Sequence, residues 1–215
     1  MAHTFDTSSS VAGQTGTSIT LSHTVAAGAS IICVGLICNS NTARAGGAPT
    51  FAGLTMTQAG TRQVATGGAA VATELWYYVT PPTGANNIVV PNTGAISVTI
   101  VGASFINAGG LQSILDVAGG AIGNSTNPTA SVTTTYNGDA LFSVAGTLGG
   151  AVTAGRTSIT TGTTGTLFFG GEYFLQATAA AAAMNWTAAS GRWATNVISI
   201  REAARNSNMM MGLGT

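Results

Sequence analysis

Ile31-Ile32-Cys33-Val34-Gly35-Leu36-Ile37-Cys38 is the stretch on which the fold turns. It is an uninterrupted apolar run of eight residues, rich in β-branched side chains and too short for an ordinary helix. In an extended chain successive residues point to opposite faces, so this segment is apolar on both and belongs at the centre of a sheet. Cys33 and Cys38 are five steps apart, which puts them on opposite faces and about 16 Å from each other, too far for a disulfide. They read as two buried thiols. Metal binding through this pair would need further Cys or His nearby, and the chain has only His3 and His23.

Outward from this strand the same period of two persists. Ile19 and Leu21 alternate with Ser18, Thr20 and Ser22, residues 96–106 form a β-branched run, and residues 132–136 are nearly all Thr and Val. Gly, Asn and Pro clusters punctuate the chain at 13–16, 39–47, 67–68, 81–87, 109–110, 119–128, 149–150, 162–165 and 170–171. The expected strands are 18–23, 31–38, 50–57, 62–66, 72–80, 87–90, 96–106, 130–136, 139–147, 172–177, 184–188 and 193–201. Gly53 implies a bulge or tight hairpin within 50–57. The Ala run 177–183 reads as a single helical turn or a loop. No fixed-period repeat is visible, so a solenoid or propeller is not expected. The class is all-β, a sandwich or barrel, and no linker divides it.

Composition narrows the function classes. Of 215 residues only 12 are formally charged, six Arg and six acids with no Lys, and the net charge is zero. A soluble domain carries roughly a quarter charged residues. Electrostatic capture of nucleic acid or an anionic membrane is therefore not expected. A nearly uncharged chain tends to associate, which points to a homo-oligomer or a larger assembly. No 18-residue apolar span exists, and residues 1–10 lack the basic and apolar regions of a secretory signal. An outer-membrane barrel would call for paired aromatic girdles and charged outer loops, and neither is evident.

Several local patterns together resemble a known kind of module. They are Ser22-His23-Thr24-Val25 followed by Gly28, the central strand 31–38, the hairpin Ala48-Pro49-Thr50-Phe51-Ala52-Gly53-Leu54-Thr55-Met56-Thr57, and Glu74-Leu75-Trp76-Tyr77-Tyr78 followed by Pro81-Pro82-Thr83-Gly84. Asn185-Trp186-Thr187 with Trp193-Ala194 completes the set. The chain resembles a loosely defined jelly-roll β-sandwich module found in phage virion proteins and in bacterial surface or secreted proteins. The resemblance covers residues 16–202 and implies a single jelly-roll-like antiparallel β-sandwich with tails at 1–15 and 203–215. The family has no catalytic residues to carry over. What it implies is a non-enzymatic structural protein of a phage-like virion, a capsid decoration or surface-appendage subunit. Such a subunit would associate with itself and dock on a shell or tube protein. The same features suit an extracellular filament subunit at a cell surface.

The candidate sites are few. Trp76, Tyr78 and Trp193 are candidates for stacking a host-surface glycan, as in a carbohydrate-binding module, and they equally suit a sandwich core or a subunit interface. Strand alternation puts Glu74, Trp76 and Tyr78 on one face and Leu75, Tyr77 and Val79 on the other. Met209, Met210, Met211 and Leu213 are the expected partner-docking segment, because thioethers adapt to an apolar groove. A hydrolase would need two acids to converge from Glu74, Asp116, Asp139 and Glu172, none of them neighbours in sequence. No nucleophile elbow or phosphate-binding loop is present, and no cofactor or metal is implied.

Overall fold

In this computed structural model, residues 2–40, 47–67, 69–108 and 112–202 are described. Every regular element among them is a β-strand, and every pairing is antiparallel. The first nine strands are β1 (His3–Gln14), β2 (Ser18–Val25), β3 (Ala29–Cys38), β4 (Thr50–Phe51), β5 (Leu54–Thr55), β6 (Thr57–Ala65), β7 (Val71–Val79), β8 (Gly84–Pro91) and β9 (Val98–Asn107). They make a large sheet of order β1-β9-β3-β7-β6 and a small one of order β2-β8-β4-β5. First and last strands lie side by side and the chain alternates between sheets, which is a jelly-roll-like sandwich.

The remaining strands are β10 (Ser113–Ser125), β11 (Thr129–Thr133), β12 (Asp139–Thr147), β13 (Thr153–Ala154), β14 (Thr157–Thr164), β15 (Leu167–Gln176), β16 (Ala181–Thr187) and β17 (Gly191–Glu202). Their sheets run β10-β17-β12-β15-β14 and β11-β16-β13. This is the first topology over again, with β10 in the place of β1, β12 in that of β3 and β17 in that of β9. The antiparallel sandwich read from the sequence is thus present twice in one chain.

The two large sheets pack face to face, and the small sheets cover their outer sides, giving four layers. One apolar cluster, with Ile31, Cys33, Ile37, Leu75 and Phe105 from the first repeat and Phe142, Val144, Phe169 and Ile198 from the second, fills the space between the large sheets. A second cluster, with Ile32, Val34, Leu36, Cys38, Phe51 and Ile88, lies inside the first sandwich. Two smaller ones, around Met184 and around Trp186, lie inside the second. The apolar run 31–38 is buried throughout because its two faces serve different cores. Both cysteines are buried, Cys33 in one core and Cys38 in the other.

The repeats meet reciprocally, as the subunits of a two-fold dimer do. β1 packs against β14, and its counterpart β10 packs against β6, the counterpart of β14. Gly35 and Val144 occupy corresponding places in β3 and β12 and touch each other; a Cβ on Gly35 would overlap Val144 Cγ1. Two places along, a Cβ on Gly146 would sit 2.6 Å from Ile37 Cγ2. Glycine is required at these points because the sheets approach so closely.

Four expectations change. Of the tail expected over residues 1–15, His3–Gln14 is a strand instead: β1 runs along β9 from His3↔Asn107 to Gln14↔Val98, with Phe5 stacked on Tyr173 at 4.4 Å. β10 and β14 fall where glycine clusters were read as turns. In β10, Gly119, Gly120 and Gly123 instead make room for Val132, Gln63 and Trp193. The Ala run contributes neither helix nor loop at 181–183, where β16 pairs with β11. The single sandwich expected over residues 16–202 is two, joined through their large sheets.

Candidate functional site

Charge is engaged inside this molecule. Among the described residues Glu74, Asp139 and Glu172 are buried, and Asp6, Arg62, Asp116, Arg156, Arg192, Arg201 and Glu202 are half-buried; none is fully exposed. Arg62 Nε lies 3.3 Å from Glu74 Oε1 and Arg201 Nε 3.7 Å from Asp116 Oδ1. Arg156 lies over the Phe174 ring at 4.1 Å, and Arg201 over Tyr136 at 4.3 Å. The outer faces are correspondingly neutral. β2 presents Ser18, Thr20, Ser22 and Thr24, while β11 and β16 present Ser131, Thr133, Ala181, Asn185 and Thr187.

The aromatic candidates lie inward. Trp76 and Trp193 are 9% and 7% exposed. Trp76 Nε1 donates to Glu74 Oε2 at 3.0 Å, and Trp193 Nε1 donates to Ser125 Oγ at 3.0 Å. Tyr78 is half-buried against the core of the first sandwich. The two Trp rings are buried, the alternative to glycan stacking, while Tyr78 keeps part of its surface open. Met209, Met210, Met211 and Leu213 lie outside the described residues.

Both histidines sit in buried networks that sequence reading missed. His3 Nδ1 donates to the Gly138 carbonyl at 3.0 Å, so Nε2 accepts from Ser113 Oγ at 2.8 Å; Ser113 is in turn 2.7 Å from Ser30 Oγ. This network ties the start of β1 to the second repeat, and His3 and Ser113 are almost fully buried. In the other network Ser104 Oγ donates to Asp6 Oδ2 at 2.7 Å. His23 Nε2 therefore donates to Ser104 Oγ at 3.1 Å, and His23 Nδ1 accepts from Ser9 Oγ at 2.8 Å. Burial lowers the pKa of both histidines, against the opposing pull of Glu202 on His3 and of Asp6 on His23. Strand pairing brings these residues together from positions too distant for any motif to reveal.

Folding also brings two of the four acids together. Asp116 is the extra residue of a bulge between Leu115 and Val117 in β10, and Asp139 opens β12. Asp139 Oδ2 accepts from Ser199 Oγ at 2.9 Å, and its other oxygen has no donor. Burial pushes the Asp139 pKa up to about 7, which the neighbouring Asp116 carboxyl reinforces. A protonated Asp139 then hydrogen-bonds the Asp116 carboxyl, whose oxygens already accept from the Thr135 N–H and hydroxyl. Glu172, buried beneath the Arg156 and Gly155 N–H groups, is also raised to about 7 by desolvation.

Two open grooves lie among the described residues. One is lined by Thr50, Ala52, Gly53, Asn86 and Asn87, the other by Ala65, Thr66, Ile122, Gly123, Asn124 and Arg192; neither contains a His, Cys or acid. No group of three metal-ligating side chains occurs among the described residues. Compared with protein-family models, curated proteins and solved structures, the chain matches none of them.

Proposed function

We propose that this chain is a structural subunit of a phage-like virion, a capsid decoration or surface-appendage protein that self-associates and docks on a shell or tube protein. The observation that carries this reading is the neutral surface. With each described charged side chain at least half-buried, the outside is a field of Ser, Thr, Ala and Asn. Such a surface resists close approach weakly, because there is little charge to desolvate or repel. Repeated copies in a symmetric assembly multiply weak contacts of this kind. The resemblance of residues 16–202 to jelly-roll modules of virion proteins supports the same assignment.

Removal of residues 206–215, which contain the methionine segment, tests the docking part. The shortened chain is expected to keep its β-sheet circular dichroism and melting temperature but bind protein-depleted particles at least tenfold more weakly. Unchanged particle binding contradicts docking through Met209, Met210, Met211 and Leu213. Failure of even the full chain to bind particles contradicts the virion assignment. An extracellular filament is the second reading, favoured by the same neutral faces, and fibres assembled from purified protein alone would point to it.

A further inference from the structure

The internal repeat provides a control for each polar group, because a position needed by the fold alone should be filled alike in both halves. Two features are shared. Asp6 and Asp116 both stand at a bulge in the first strand of their repeat, and their Oδ2 atoms accept the backbone N–H of Ala26 and Thr135 at 3.1 and 2.9 Å. Ser104 and Ser199 both lie across from the residue after the bulge. Beyond these the halves diverge. Two residues further along β1, Ser9 pairs with Gly102, and His23 stands three residues before Ala26. The corresponding trio is Gly119, Val197 and Val132. A Cβ on Gly119 would meet Val132 Cγ1 at 3.0 Å and Val197 Cγ1 at 3.6 Å, so that trio is apolar and closely packed. The fold is therefore satisfied without a histidine or a hydroxyl here.

We propose that Ser9 is an activated nucleophile, with His23 as its general base and Ser104 and Asp6 as positioning residues, competent to react with small uncharged acyl donors. The arrangement has the three parts such chemistry needs: a hydroxyl donating to a bare imidazole nitrogen at 2.8 Å, an opposite ring N–H held at 3.1 Å, and a carboxyl fixing that holder at 2.7 Å. Ser9 lies half-buried on an edge strand, whereas Ser113 beside His3 has the same partner type but is fully enclosed. Gly102 lies against the site: a Cβ there would stand 3.2 Å from Ser9 Oγ and 3.4 Å from His23 Nδ1, and 2.9 Å from Ile88 Cδ1, so the pair is packed against the sheet with no side chain added beneath it. The low basicity that burial gives His23 keeps it neutral and able to accept a proton near pH 7. In the reaction Ser9 Oγ bonds to the acyl carbon as its proton passes to His23 Nδ1. The ester C–O bond breaks, and the leaving alcohol takes that proton. Water then attacks the acyl carbon as its proton passes to His23 Nδ1, the bond from that carbon to Ser9 Oγ breaks, and His23 returns the proton to Ser9 Oγ, releasing the acid.

The test is labelling of the full chain with an alkyl fluorophosphonate, read by intact mass and by fragmentation. We expect one adduct, on Ser9, formed with loss of fluoride and absent from Ser9→Ala. His23→Val copies the second repeat and should fold, and it is expected to slow labelling by at least about 100-fold, the usual contribution of a general base. Asp6→Asn is expected to slow labelling and to move its pH midpoint downward, because Asp6 raises the His23 pKa; a purely structural carboxyl would leave that midpoint unmoved. An unlabelled wild-type chain, an adduct on another residue, or an unchanged rate in folded His23→Val overturns the proposal.

Discussion

Alanine at Gly35 and at Val144, singly and together, tests the packing of the two repeats. A methyl group on Gly35 overlaps Val144 Cγ1 and lies 3.0 Å from Cγ2 and 3.1 Å from Cβ, with the Gly35 strand held by β7 and β9 on either side. Neither backbone can withdraw cheaply, so Gly35→Ala is expected to cost about 2 kcal/mol, within the usual range for overpacking. Val144→Ala removes two buried methyl groups, a loss of about 1.6 kcal/mol at ~0.8 each. In the double variant the overlapping atoms are gone, and only the 3.1 Å approach between the two Cβ positions remains. The added methyl fills part of the vacated space, and replacing glycine lowers the entropy of the unfolded chain by about 0.4–1 kcal/mol. The double variant should thus lose only about 1 kcal/mol, less than either single variant, with a coupling of about 2.5 kcal/mol. Urea denaturation of the four proteins, read by tryptophan fluorescence, supplies the cycle. Additive losses, or a Gly35→Ala chain as stable as wild type, would refute the face-to-face register of β3 and β12.

Two further outcomes follow from buried titratable groups. Asp139 has a folded pKa of about 7 against an ordinary 3.8, so between those values the native state holds a proton that the unfolded chain has lost. Stability therefore falls as pH rises through that window and levels off above it. Asp139→Asn mimics the protonated form. Its advantage over wild type should grow by about 1.4 kcal/mol per pH unit from pH 4 to 7 and then stay constant, measured by denaturation across pH; a pH-independent difference contradicts the assignment. Burial raises the Cys33 thiol pKa far above its usual range, and Cys38 is 1% exposed. Neither should react with a water-soluble disulfide reagent until the chain unfolds, and fast modification of native protein would show a looser core.

Strands whose side chains alternate or cluster by polarity were legible in the sequence. β12 begins and ends where expected, at Asp139 and Thr147, and β3 is the doubly buried strand that its apolar run implies. The hairpin expected around Gly53 is present, with Ala52 and Gly53 at positive φ between β4 and β5. β1, β10 and β14 were not legible, because Ser, Thr and Gly fill half or more of β1 and β14 and glycines interrupt the apolar pattern of β10, and their support comes from the neighbouring strand and sheet. Glycine in β10 signals close approach by Val132, Gln63 and Trp193, yet in sequence it is indistinguishable from glycine in a turn. The repeat was hidden for a related reason: Ser9, Gly102 and His23 correspond to Gly119, Val197 and Val132, matched in place and unmatched in chemistry. Burial of Trp76 and Trp193 was one of the two readings their alternation allowed. The convergence of Asp116 with Asp139, and of Ser9 with His23, depends on strand register, which only the folded chain supplies.

The neutral surface is the basis of the structural assignment, and its most direct test is the mass of the native protein in solution. Sedimentation velocity of the full chain across a hundredfold range of concentration, at physiological salt, separates the alternatives. We expect species well above the 21.2 kDa monomer, growing with concentration and little affected by added salt, since charge contributes little to the contacts. A single 21.2 kDa species at every concentration would contradict self-association through uncharged faces.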